Sequence, residues 1–86
     1  MSINPISRER FAAKSQMRTL VEEQEATKAK VVSLSRYLSQ SAEFDELPKK
    51  DRDLLCEQFQ HLCAYSRVLD QRVERAVTKL LEGQSQ

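Results

Sequence analysis

The amino-acid sequence predicts an all-α protein, an antiparallel two-helix hairpin with coiled-coil-like packing that assembles as a homo-oligomer. The 86-residue chain contains one glycine and two prolines, which excludes a turn-rich β fold. Its hydrophobic residues recur at helical spacing in two long stretches, which a polar, proline-containing connection separates. The apolar stripe of the second stretch is wider than one partner helix can cover. A homo-oligomer would cover the remainder.

The first helix is expected to begin near Arg8, with Ser7 as its N-cap and residues 1–6 as an extended lead-in, and to end near Gln40. A seam at alternating three- and four-residue steps runs along it: Met17, Leu20, Gln24, Thr27, Val31, Leu34 and Leu38. The seam is polar in its middle. This leaves two alternatives, one helix over residues 8–40 or a short helix over residues 7–14 hinged against a longer one.

The second helix is expected to run from Pro48 to about Glu82, because proline disfavours helix at the residue before it and suits the first turn of a new helix. Its seam follows four- and three-residue steps with one serine: Leu55, Phe59, Leu62, Ser66, Leu69, Val73, Ala76 and Leu80. In the connection, Phe44 and Leu47 are expected to fold back over the end of the helix pair. Gly83 is expected to stop the helix, which leaves 84–86 as a polar tail of a single domain over residues 1–86.

The apolar stripe of the second helix extends beyond its seam to Cys56, Cys63, Tyr65, Val68 and Val77. Small domains with such a surplus usually gain stability by oligomerisation, so we expect this helix to pack on its equivalent in another copy. The two cysteines are seven residues apart, about 10 Å along a helix axis, which is too far for a disulfide within the chain.

Several classes of function are disfavoured by composition. A formal net charge of +1 argues against duplex-DNA binding through many phosphate contacts. The sequence has no apolar run of membrane-spanning length and no signal peptide, so we expect a cytoplasmic protein without a membrane partner. His61 has no helical spacing to either cysteine, and the single glycine is terminal. We therefore expect no enzyme activity, no cofactor and no metal site.

Two sets of basic residues are candidates for binding a phosphorylated ligand. The first, which we call the N-terminal set, adds an aromatic residue that could stack on a base: Arg8, Arg10, Phe11, Lys14 and Arg18. The second is a ridge on the second helix: Arg72, Arg75 and Lys79. For each set the alternative is an ordinary solvated helix face, or pairing with acidic residues of the same or a neighbouring chain.

Part of the sequence resembles a pattern in small phage and prophage proteins. An aromatic-Leu pair ends the first helix, a Phe-x-x-Leu connector follows, and the second helix carries Leu-Leu, Gln, Tyr, Val-Leu and Arg. The residues that match are Leu34, Tyr37, Leu38, Phe44, Leu47, Leu54, Leu55, Gln58, Tyr65, Val68, Leu69 and Arg72. The resemblance covers roughly residues 20–75, has leucine at Leu62 where those proteins often have methionine, and does not include the residues before Met17.

Some small phage hairpin proteins are similar in outline to oligomeric anti-defence sponges, which bind cyclic nucleotide signals between protomers. The resemblance implies a non-enzymatic protein that sequesters a cyclic nucleotide or a cyclic ADP-ribose-type signal at an oligomer interface. The alternative is a helical module that blocks or assembles with a host or phage protein through its apolar stripe.

Overall fold

The protein is a hairpin of two long helices. The computed structural model describes the backbone of residues 5–84 and the side chains of residues 11–83. Helix α1 spans Pro5–Gln40, a short helix α2 spans Ala42–Glu46, and α3 spans Lys49–Gln84. α1 and α3 pack against each other in opposite directions, in a body of 63 × 25 × 18 Å. The described residues contain no strand, and the predicted all-α hairpin is confirmed.

α1 is one continuous helix of 36 residues, so no hinge separates a short N-terminal helix from the rest. It begins at Pro5, and the prediction of an extended segment was wrong for residues 5 and 6. Proline suits this position because its φ is already helical and its missing N–H would have no partner in a first turn. The predicted lead-in over residues 1–4 lies outside the described residues.

The connection contains α2, which the sequence analysis did not predict. Its residues Ala42–Glu46 are too few to show a helical period, which explains why the pattern missed it. The ring of Phe44 packs edge-on against the ring of Tyr37, with centroids 6.1 Å apart and planes at 76°. Phe44 and Leu47 are half-buried. The prediction that Phe44 folds back onto the end of the helix pair is confirmed.

The ends of α3 differ slightly from the prediction. The carbonyl of Pro48 accepts hydrogen bonds from the N–H groups of Asp51 and Arg52, at 3.0 and 3.1 Å, so proline precedes the helix rather than opening it. Gly83 does not stop the helix, which continues to Gln84. No described glycine has a positive φ, so the helix does not end in the left-handed turn that glycine favours. The prediction of a polar tail was wrong for residue 84, and residues 85–86 are outside the described part.

The predicted seams of both helices form the contact between them. Every seam residue is buried or half-buried. Leu69 is fully buried and Leu20 is 8% exposed, and these are the only buried hydrophobic side chains among those described. Thr27 of the polar seam centre is also buried. The hairpin therefore has a line of contacts instead of a closed core.

The polar centre of the seam makes a hydrogen-bonded link between the helices. Gln24 Nε2 donates to Asp70 Oδ1 at 2.7 Å, and Lys28 Nζ lies 3.3 Å from the same oxygen. The hydrogen bond from Gln24, helped by the hydrogen bond and charge of Lys28, outweighs desolvation and lowers the pKa of Asp70 below its ordinary value of 3.8. Asp70 joins the middle of α3 to the middle of α1.

This link makes stability depend on pH in the acid range. Because the folded state lowers the pKa of Asp70, its contribution is fully present above 3.8 and is lost as the pH falls through the folded-state value. We expect Asp70→Asn to melt below wild type at neutral pH, and the gap between their melting temperatures to narrow as the pH falls below 3.8. Thermal melts followed by circular dichroism measure this. Glu74→Gln, one turn further along α3, is the control, and an equal narrowing for that variant would contradict the prediction.

Candidate functional site

An open groove of about 680 Å³ lies between α1 and α3 at the end of the hairpin remote from α2. Its apolar lining residues are buried or half-buried and form the floor: Ala13, Met17, Leu20, Ala76 and Leu80. Its polar lining residues are exposed and form two walls. The α1 wall consists of Ser15, Gln16, Thr19 and Glu23, and the α3 wall consists of Arg72, Arg75 and Lys79. The groove thus combines an apolar floor with polar groups that a ligand could reach.

The α3 wall is the basic ridge that the sequence predicted. Its residues Arg72, Arg75 and Lys79 stand three and four residues apart on α3, which places them on one side of the helix. No side chain in the described part of the chain forms an ion pair with any of them. Guanidinium and ammonium groups bind phosphoryl oxygens through charge-assisted hydrogen bonds. Three unpaired cations beside a groove therefore suit a phosphorylated ligand.

The α1 wall was missed by the sequence analysis. Gln16, Thr19 and Glu23 each stand one residue before a seam residue and repeat the three- and four-residue steps of the seam. That spacing could have indicated the α1 wall, but polar residues beside a seam usually belong to a solvated face. Thr19 Oγ1 donates a hydrogen bond to the Ser15 carbonyl at 3.2 Å, and the Tyr65 hydroxyl donates to Glu23 Oε1. Glu23 is the one carboxylate among the described lining residues.

The described members of the N-terminal set do not line this groove. Phe11, Lys14 and Arg18 are exposed, and none of them lines it. Phe11 is 76% exposed, more than any other large hydrophobic side chain in the described part. The side chains of Arg8 and Arg10 lie outside the described residues. Among the described residues of the two predicted basic sets, those of the ridge on α3 line a cavity formed by both long helices, whereas Phe11, Lys14 and Arg18 do not.

A second depression of about 510 Å³ lies on α1 alone, between Lys28 and Arg36. It has one wall, so a ligand there would remain largely in solvent.

None of the described helices has an apolar stretch long enough to cross a bilayer. Within residues 11–83, no three His, Cys, Asp or Glu side chains come together as metal ligands, and Cys56 and Cys63 are free thiols.

Comparison with known proteins adds one positive finding. The model of the Sequestin family matches residues 15–75, more than two thirds of the chain. The matched segment contains Glu23, Tyr65, Arg72 and Arg75, and it begins after Lys14. No curated protein and no solved structure matches. The family name suggests sequestration, a binding role rather than a catalytic one. Because the match covers most of the hairpin, including the α1 wall and Arg72 and Arg75 of the α3 wall, the chain belongs to the Sequestin family.

Proposed function

We propose that this protein binds and sequesters a small nucleotide immune signal in the groove between α1 and α3, without changing it chemically. The observation that carries the proposal is the α3 wall, where three cations without ion-pair partners among the described residues face a groove large enough for a small ligand. Membership of the Sequestin family supports a sequestering role. By removing a signal of a host defence pathway, a phage or prophage protein of this kind would silence that pathway.

The length of the α3 wall favours a ligand with more than one phosphoryl group. Arg72 and Lys79 are seven residues apart, about 10 Å along the helix axis. A single phosphate is too small to contact three cations spread over that distance, whereas a pyrophosphate or two separate phosphates can. Cyclic dinucleotides and cyclic ADP-ribose-type signals both meet this requirement. The apolar floor, which includes Met17 and Leu20, would pack against a base or sugar face.

We also propose that the protein acts as a homo-oligomer, with the ligand at the contact between copies. The groove is open to solvent, so a single hairpin would leave one side of a bound nucleotide exposed. Tyr65 and Val68 are 44% and 48% exposed, and Val68 is one helical turn before Arg72. A second copy that packs on this part of α3 would lie beside the groove and could close it.

A second candidate function rests on the same exposed surface of α3. Leu54, Tyr65 and Val68 could bind a host or phage protein instead of a second copy of this chain. In that case the basic ridge would steer the approach of an acidic partner, and no small ligand would be needed. Binding of nucleotides distinguishes the two functions.

The test is a thermal-shift screen of signalling nucleotides, followed by calorimetric titration with the ligand that stabilises the protein most. A ligand that binds only the folded state raises the melting temperature. Arg75→Ala removes one charge-assisted contact worth about 1.5–3 kcal/mol, so we expect its affinity to fall by roughly tenfold to a hundredfold. Lys14→Ala is the matched control in the N-terminal set, and we expect it to bind as wild type.

The outcomes separate the candidate sites and functions. If Lys14→Ala binds the nucleotide more weakly and Arg75→Ala binds it as wild type does, the site lies at the N-terminal set and not at the α3 wall. No stabilisation by any nucleotide would contradict sequestration of such a signal and would favour the protein-binding alternative.

A further inference from the structure

The two walls of the groove differ in the hydrogen bonds they can make. The α3 wall contains Arg72, Arg75 and Lys79, whose side chains only donate hydrogen bonds. It can therefore satisfy ligand oxygens, but it offers nothing to a ligand hydroxyl or amino group that must donate.

The α1 wall has the opposite character at Thr19 and Glu23. The single proton of the Thr19 hydroxyl is donated to the Ser15 carbonyl, so the hydroxyl oxygen can only accept from a ligand. The Glu23 carboxylate accepts at Oε1 from the Tyr65 hydroxyl, which fixes its position at the inner end of the groove. Its other oxygen, Oε2, has no partner in the described part of the chain. This end of the wall therefore presents acceptors that need donors.

We propose that Glu23, positioned by Tyr65, accepts a hydrogen bond from a ribose hydroxyl of the ligand while the α3 wall holds its phosphates. This inference rests on the proposed function and adds the chemical feature that the site selects. A carboxylate that accepts from ribose hydroxyls is a recurrent solution in nucleotide sites. The ligand class is thus a phosphorylated ribose compound with at least one free hydroxyl, as opposed to any small polyanion.

The position of Glu23 also acts against the wrong ligand. Inorganic pyrophosphate would satisfy the α3 wall, but it has no ribose hydroxyl for Glu23 and its charge is repelled by the carboxylate. A cationic groove for any polyanion would be better without this residue. One carboxylate opposite three cations therefore indicates discrimination between ribose phosphates and inorganic phosphates.

The experiment compares ADP-ribose with inorganic pyrophosphate by calorimetric titration of wild type and Glu23→Gln. The glutamine keeps the size of the side chain and removes its charge. Affinity for ADP-ribose should fall about fivefold to tenfold, because a hydrogen bond to a charged acceptor becomes a neutral one. Affinity for pyrophosphate should rise by about threefold, because a repulsive charge is gone. Affinities that change in opposite directions for the two ligands indicate a carboxylate that accepts a hydrogen bond from a ligand hydroxyl.

Two further variants isolate the effect. Tyr65→Phe removes only the hydroxyl that positions Glu23, and it should weaken ADP-ribose binding and leave pyrophosphate binding near wild type. Glu22→Gln makes the same charge change at the neighbouring residue, which does not line the groove, and it should alter neither affinity by more than about twofold.

Shifts of both ligands in the same direction for Glu23→Gln, or equal effects of Glu22→Gln and Glu23→Gln, would overturn the inference and leave the anion-binding groove intact. Binding of pyrophosphate but not of ADP-ribose to wild type would overturn it as well. If neither compound binds, and no nucleotide in the thermal-shift screen does, the proposed function fails together with it.

Discussion

Replacing Leu69 with alanine is expected to lower the free energy of unfolding by about 3–5 kcal/mol, the upper part of the range for a buried leucine. Leu69 has no exposed surface and lies in the middle of the seam of α3. With Leu20, it is one of two buried hydrophobic side chains among those described, so the hairpin has little other apolar packing to compensate. In thermal melts followed by circular dichroism, the midpoint should fall by more than about 10 °C, given about 4–8 °C per kcal/mol for a domain of this size.

Leu81→Ala is the matched control for this prediction. Leu81 is on the same helix but 59% exposed, so its truncation removes little buried surface and should change stability by less than about 0.5 kcal/mol. Equal melting temperatures for wild type and Leu69→Ala would mean that the contact between α1 and α3 is not centred on this residue. Equal losses for the two variants would show that an exposed and a buried leucine contribute alike, which would also contradict the structure.

The long helices and their contact surface were predictable because steps of three and four residues, sustained over seven positions in one seam and eight in the other, place all these side chains on one face of a helix. Leu55, Leu62, Leu69 and Leu80 all lie in the contact as expected. Even Thr27, a polar residue in the seam, is buried where the period places it. Periodicity over 30 residues averages out individual exceptions, and tertiary packing then follows the stripe.

The ends of the helices were less predictable because they depend on single residues. Gly83 can end a helix only if its backbone turns into the left-handed region, and in this chain it remains helical. Pro5 and Ser7 are both acceptable near a helix start, and the sequence favoured the serine while the helix begins at the proline. Such choices are decided by a few tenths of a kcal/mol and have no repeat to confirm them.

The groove, too, was only partly predictable from the sequence. A helical period shows which residues share a face, and so the sequence alone predicts the ridge of Arg72, Arg75 and Lys79. It does not tell which exposed face lies beside the partner helix. The N-terminal set has an equally regular spacing, but its described members do not line the groove. Glu23 became a candidate only when the structure placed it opposite the ridge and within reach of Tyr65.

The surface area of the chain bears on the proposed homo-oligomer. A compact monomer of 10 kDa would expose about 5,200 Å², whereas this chain exposes 7150 Å². The excess is more than twice the roughly 800 Å² that each partner contributes to a standard interface. Leu54, Tyr65 and Val68 are each between 44% and 49% exposed on α3. Packing of a second copy on this part of α3 would bury apolar surface that one hairpin leaves in water.

Val68→Glu is therefore expected to shift the protein from an oligomer to a 10 kDa monomer in sedimentation velocity at micromolar concentration. A buried glutamate without a partner costs several kcal/mol, whereas on an exposed helix face it favours helix formation, so the helical signal should be retained. Val32→Glu is the matched control, because Val32 on α1 is 50% exposed against 48% for Val68, and it should sediment as wild type. Wild type that sediments only as a monomer, or equal dissociation by both variants, would show that the exposed residues of α3 do not join two copies. If the proposal is correct, Val68→Glu should also bind the nucleotide more weakly, since its groove would then remain open on the side next to Arg72.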